Sequence, residues 1–258
     1  MDSLVEPTAP PPPISLSTSQ LNNYCGYYEP RNPRLQIAGF TEIITGGVNV
    51  FCENDTLYRQ FFMDTRRPYI PVSEKLFRRP QDPEATGVFT ETSDGKMVLA
   101  TRGSYYERTA RWKPVLYRIL FFGAFIIMMS AIVYALFWIP LYVYKRLKRK
   151  DNVSKYIRMR LIPLFAVLSL VIGMLTFIII QPSILELGQR SFANVVFSIS
   201  TVLFAGFSVW SIFTAFKSFY KPVKKLDHIY SVILSLACFG MTLYLYFWGI
   251  IGLRLWEY

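Results

Sequence analysis

Two short stretches of this 258-residue chain set nucleophile and base types side by side. Ser218-Phe219-Tyr220-Lys221 places a lysine one helical turn beyond a serine, the spacing at which an amine can take the hydroxyl proton for acyl transfer. Ser73-Glu74-Lys75 carries similar residue types in a proline-flanked strand or turn. The single histidine, His228, follows Asp227, and no Cys-x-x-Cys occurs. One His-Asp pair is not a ligand set, since a structural zinc normally takes four protein ligands. The S-x-x-K match falls in a short basic loop directly after a long apolar stretch. Nothing near it resembles the S-D-N and K-T-G elements that would build a pocket. Chance and loop charge account for it, so we expect no catalytic residue, no metal, no cofactor and no enzyme.

The elements that would have to position these residues are membrane helices. Ile119–Tyr144, Leu161–Leu185, Ser191–Phe216 and Ile229–Leu253 contain no Asp, Glu, Lys or Arg. About 20 apolar residues cross a bilayer core, and soluble helices usually keep a polar face toward water. Spans are expected at about 116–144, 161–182, 192–216 and 229–252, forming a four-helix bundle within a transmembrane domain of residues 111–258. The loop Lys145–Arg160 holds eight basic residues against one acid. The loop after span three adds Lys217, Lys221, Lys224 and Lys225 against Asp227. Short basic loops stay cytoplasmic, which places loops 145–160 and 217–228 inside, and the N-terminal domain and C-terminus outside. Arg108, Arg111, Lys113 and Arg118 pull the other way, but they are fewer.

The net charge of +11 needs no nucleic acid. Residues 1–110 carry a net −2, so the excess lies in the membrane part, facing anionic headgroups of the lipid bilayer. Trp112, Tyr117, Trp138, Tyr142, Tyr144, Phe247, Trp248 and Trp256 sit where interfacial rings anchor a span. A solute path would be signalled by ionisable groups inside the spans. The polar residues there are Ser130, Thr176, Ser198, Ser200, Thr201, Ser208, Ser211 and Thr214. With Gly206, and Gly240 and Thr242 in span four, they read as close-packing positions between helices.

Residues 1–19 form a proline-rich lead-in, flexible or extended, without the architecture of an export signal. Residues 20–110 alternate short apolar runs with turn signals, among them Asn54-Asp55 and Asp94-Gly95. Six to eight short strands are expected, as a small antiparallel sheet or partly closed barrel. The fold class is thus α+β: a small extracytoplasmic β domain, then the bundle. Cys25 and Cys52 both lie in this domain, and either a bridge between them or two buried thiols is compatible with the sequence.

LNNYCGYYEPRNP, FTEIITGGVNVFCENDTLY, PVSEKLFRRPQDPEATGVFTETSDGKMVLAT and GSYYERTARW follow one another into the first span. In this order they resemble the C-terminal β domain and transmembrane region of membrane-anchored serine hydrolases of the β-lactamase and penicillin-binding-protein class. The catalytic domain of that class is missing, so no catalytic residue carries over to any position here. The resemblance implies a non-catalytic accessory module in a bacterial cytoplasmic (inner) membrane, docking a serine hydrolase or another envelope protein. A small transporter or transport subunit, and a truncated remnant of such a hydrolase, are the alternatives. For docking, Tyr27, Tyr28, Phe77, Arg78, Arg79, Tyr105 and Tyr106 are the candidate partner-binding residues, being types enriched at interface cores. Alternate members of the set could equally fill the β domain's own core.

Overall fold

The run VNVFCE-ND-TLYRQF alternates apolar and polar residues on either side of a two-residue turn, which dictates a hairpin. A computed structural model describes residues 10–33, 39–148, 157–180, 189–218 and 225–254, and in it this hairpin is β2 (Val48–Glu53) and β3 (Thr56–Phe61). Glu53 pairs with Thr56, and Asn54 and Asp55 both adopt left-handed φ, 48° and 55°. That is the twist-matched hairpin turn, and Asn and Asp are the non-glycine residues that tolerate it best. At Asp94-Gly95 and Arg102-Gly103 the glycine takes the positive φ.

The remaining strands are β1 (Gly26–Pro30), β4 (Arg67–Pro71), β5 (Leu76–Arg78), β6 (Gly87–Glu91), β7 (Met97–Thr101) and β8 (Ser104–Thr109). All eight pair antiparallel in sequence order, and β1 also pairs with β8, from Tyr27↔Thr109 to Pro30↔Tyr106. The sheet therefore closes into a barrel, and closure removes the two exposed edges that an open sheet would leave.

Inward residues recur at every second position. Val48 and Val50, Leu57 and Arg59, Tyr69, Phe77, Phe89 and Leu99 are all buried. Tyr69, Phe77 and Phe89 pack with Tyr24 and Tyr28, with ring centroids 4.7 to 6.4 Å apart. Short helix α1 (Thr18–Asn23) starts on a capping box between Ser17 and Gln20 and turns Leu21 and Tyr24 into this core. The Tyr24 hydroxyl donates to the Glu74 carbonyl and the Tyr28 hydroxyl to the Tyr24 carbonyl, so α1 stoppers the end of the barrel that carries the β4–β5 turn. Ahead of it, the Ile14 amide donates to Pro71 on β4. Helix α2 (Gly39–Thr45) buries Ile44.

Four helices long and apolar enough to cross a membrane follow: α3 (Trp112–Leu147), α4 (Ile157–Ile180), α5 (Phe192–Ser218) and α6 (Lys225–Phe247). Large apolar side chains such as Ile119, Ile126, Val133, Leu136 and Phe137 point outward from α3, as lipid-facing residues do. Helix α6 stops at Phe247, short of the expected 252. Gly249 (φ 66°) ends it in a Schellman motif, with Ile250 N–H on the Leu245 carbonyl and Gly249 N–H on the Tyr246 carbonyl. Close packing within the bundle involves Ser200, as the sequence suggested, but not Gly206 or Gly240. A Cβ on Gly206 or Gly240 would meet nothing within 4 Å, whereas one on Gly173 would lie 2.8 Å from Ser200 Oγ.

The chain separates into two compact units, residues 1–118 and 119–258.

Candidate functional site

Within the barrel unit, the candidate docking residues are mostly interior. Tyr28 and Phe77 are fully buried, and Tyr27, Arg78 and Tyr106 are each less than a tenth exposed. Arg79 and Tyr105 alone of the seven reach solvent. Arg78 directs its Nη1 at the carbonyls of Arg79, Pro80 and Asp82, holding the β5–β6 connection.

Tyr27 belongs to a polar knot. The boundary between units falls after Arg118, so the opening turns of α3 are part of the barrel unit. Arg118 donates through Nη2 to the Tyr27 hydroxyl (2.7 Å) and through Nε to the Ile44 carbonyl (2.8 Å). Its guanidinium also lies 4.3 Å from the centroid of Phe62 and 5.4 Å from that of Tyr27. Burial raises the Tyr27 pKa against the opposing pull of Arg118, so the phenol keeps its proton. Gly47 makes the arrangement possible, since a Cβ there would stand 1.8 Å from the Tyr27 hydroxyl. Arg118, counted in the sequence as a basic residue on the wrong side of span one, is thus fully engaged by the barrel.

A second cluster occupies the other end of the barrel from α1, where the β3–β4 and β5–β6 connections lie. Arg59, on the inward face of β3, is 8 % exposed. Its guanidinium stacks on Phe61 (5.6 Å) and Tyr69 (5.2 Å), and its Nε is buried with no hydrogen-bond partner among the described residues. Arg67 and Arg79 are close enough to act on it electrostatically, but each has its own carboxylate, Asp64 and Asp82 respectively. Asp82 also accepts from Thr86 Oγ1 (2.8 Å). The hydrogen bonds from Arg79 and Thr86 outweigh its burial and hold its carboxyl below the usual range. Burial pushes the Tyr69 phenol up to about 12. Its hydroxyl fills the space over Gly87, where a Cβ would come within 1.5 Å.

In the bundle unit the polar centre joins α3, α4 and α6. Arg160 and Asp227 form an ion pair at 2.7 Å, and the Tyr134 hydroxyl donates to the same carboxylate at 3.2 Å. The Arg160 guanidinium lies over Tyr134 and Trp138, and Ser130 and Tyr230 share a hydrogen bond of 2.9 Å. Asp227 sits in the first turn of α6, where a carboxylate suits the helix dipole. Sequence reasoning scored both charges as loop residues and missed their pairing. Their positions beside two loops of the same side were the available signal.

The remaining chemical candidates resolve simply. The Ser73 hydroxyl accepts from the Leu76 amide, as a turn residue does. Phe219, Tyr220 and Lys221 lie outside the described residues. No group of His, Cys, Asp and Glu that could hold a metal occurs among the described residues. Cys25 and Cys52 are unbridged neighbours, with the Cys52 backbone amide on the Cys25 sulfur and burial raising both thiol pKa values.

No protein-family model, no curated protein and no solved structure matches this chain. The resemblance to membrane-anchored serine hydrolases is thereby overturned. No family stands behind it, and the order found is a closed barrel N-terminal to four apolar helices, not the C-terminal barrel of a hydrolase. The ground for a hydrolase partner, or for a hydrolase remnant, goes with it.

Proposed function

We propose that this chain is a non-catalytic, membrane-anchored accessory module whose barrel engages a protein partner while the four helices fix it in the bilayer. The observation that carries this reading is the way the bundle treats its polar groups. Ser200, Thr201, Ser211 and Thr242 return their hydroxyls to carbonyls of their own helices. Such hydroxyls serve helix packing and line no aqueous path. Apart from the Arg160–Asp227 pair in the first turns of two bundle helices, the distinctive chemistry lies in the barrel, whose solvent-facing candidates for contact are Arg79 and Tyr105.

The charge asymmetry of the loops supports a cytoplasmic (inner) membrane location. Loops 145–160 and 217–228 face the cytoplasm, and the barrel and the C-terminus face outward. To test the module reading, the tagged full chain is extracted in mild detergent and its particle composition is compared with that of a Tyr105→Ala/Arg79→Ala variant. A stoichiometric partner lost in the variant, with folding intact, is the expected result. A wild-type particle containing only this chain contradicts the reading.

A transport role is the second reading. It is favoured by Ser208 and Ser235, fully buried in the bundle with hydroxyls that lack a hydrogen-bond partner among the described residues. Solute flux through proteoliposomes of the purified chain, abolished by Ser208→Ala, would establish it over the first.

A further inference from the structure

We infer that the barrel end lined by Arg59, Tyr69 and the β5–β6 connection is a binding site for a small oxyanion, a carboxylate or phosphate group. Arg59 is more than nine-tenths buried, and its Nε meets no acceptor among the described residues. An arginine cannot shed its charge at any physiological pH. Taking a guanidinium out of water without a directly bonded anion is unfavourable, and ring stacking offsets only part of that. Neighbouring charge deepens the imbalance. Arg59, Arg67 and Arg79 face two carboxylates, Asp64 and Asp82, which pair directly with Arg67 and Arg79, while Asp82 reaches Arg59 only through space. The cluster is left with one positive charge, placed on its most buried member.

The surroundings suit an oxyanion. Phe61 and Tyr69 fix the guanidinium plane by stacking, which leaves its N–H edge as the available donor surface. Asp82 is neutralised on the spot by Arg79 and accepts from Thr86, which limits its repulsion of an anion at Arg59. The α1 stopper closes the opposite end of the barrel, so a ligand enters from the Arg59 end.

The test uses the full chain in neutral-lipid nanodiscs in a buffer free of phosphate and carboxylate. Inorganic phosphate and acetate are titrated separately, and a parallel sample carries an anionic phospholipid without either ion. The readouts are the thermal midpoint of the barrel's near-ultraviolet aromatic signal and the proton shift of the Arg59 Nε–H. Binding raises the wild-type midpoint and moves the Nε–H resonance saturably. Arg59→Met weakens the apparent affinity by roughly tenfold or more, as expected for loss of a charge-assisted hydrogen bond. A response to phosphate or acetate identifies a soluble ligand, and a response only in the anionic-lipid sample identifies a headgroup. If Arg59→Met does not fold, the wild-type resonance decides alone. A wild-type chain whose Arg59 Nε–H is unmoved in all three arms overturns the site. So does a midpoint shift of equal size in Arg59→Met, which would reduce the effect to general salt stabilisation.

Discussion

Gly87 and Gly47 are the residues on which two tyrosines depend. Each leaves room for a phenol that no side chain could share. At Gly87 the Tyr69 ring carbon bearing the hydroxyl would stand only 2.5 Å from a new Cβ, so the ring itself must move. Gly87→Ala should therefore destabilise the barrel by about 1–3 kcal/mol. Most of that cost should vanish in a Tyr69→Leu background, and a double-mutant cycle by denaturant unfolding checks the coupling. Glu107 offers a different residue-scale test. The hydrogen bond from Lys96, with Arg31 adding charge, holds its carboxyl below the ordinary glutamate value of 4.5. A depressed folded pKa stabilises the native state above the unfolded value and is lost as pH falls through the folded one. Barrel stability should drop below about pH 4.5, and Glu107→Gln should flatten that part of the profile. An unchanged acid limb in the variant would remove Glu107 from the account.

At the scale of elements, local signals were legible and pairings across the chain were not. Asn54-Asp55 and Asp94-Gly95 announced their hairpins because turn chemistry is local. Closure of the barrel by β1 and β8 joins residues some 80 positions apart, and no spacing in the sequence encodes it. Helix α1 straddles the boundary expected at residue 19 and was anticipated on neither side of it, although Ser17 and Gln20 stand at capping-box spacing. Arg59 lies two residues beyond Leu57 and so shares its inward face, although its charge argues for the outward one. In the bundle, small residues marked helix contacts in general without saying which were used. Gly173 faces Ser200 in α5, and the hydroxyl of Ser200 is tied to Phe197. Gly173→Ala should accordingly loosen the α4–α5 contact by about 1–3 kcal/mol. Gly206→Ala, which meets open space, should be neutral or slightly stabilising through helix propensity. Steric trapping or denaturant unfolding in detergent distinguishes the two, and equal effects would contradict the packing described.

For the whole molecule, the closed barrel and the four apolar helices define the architecture, and the proposed orientation rests on the charge of the loops. Arg118, one of the basic residues that oppose this orientation, is held by the barrel through Tyr27, Ile44 and Phe62. An outward barrel is also what an extracytoplasmic partner requires. The most direct test is cysteine accessibility in intact cells. In a background with Cys25, Cys52 and Cys238 replaced by serine, single Asp94→Cys and Lys148→Cys variants are treated with a membrane-impermeant maleimide. The account predicts labelling at position 94, in the β6–β7 turn, without permeabilisation, and labelling at position 148 only after it. Labelling at 148 in intact cells with 94 protected would invert the topology and contradict an outward-facing barrel.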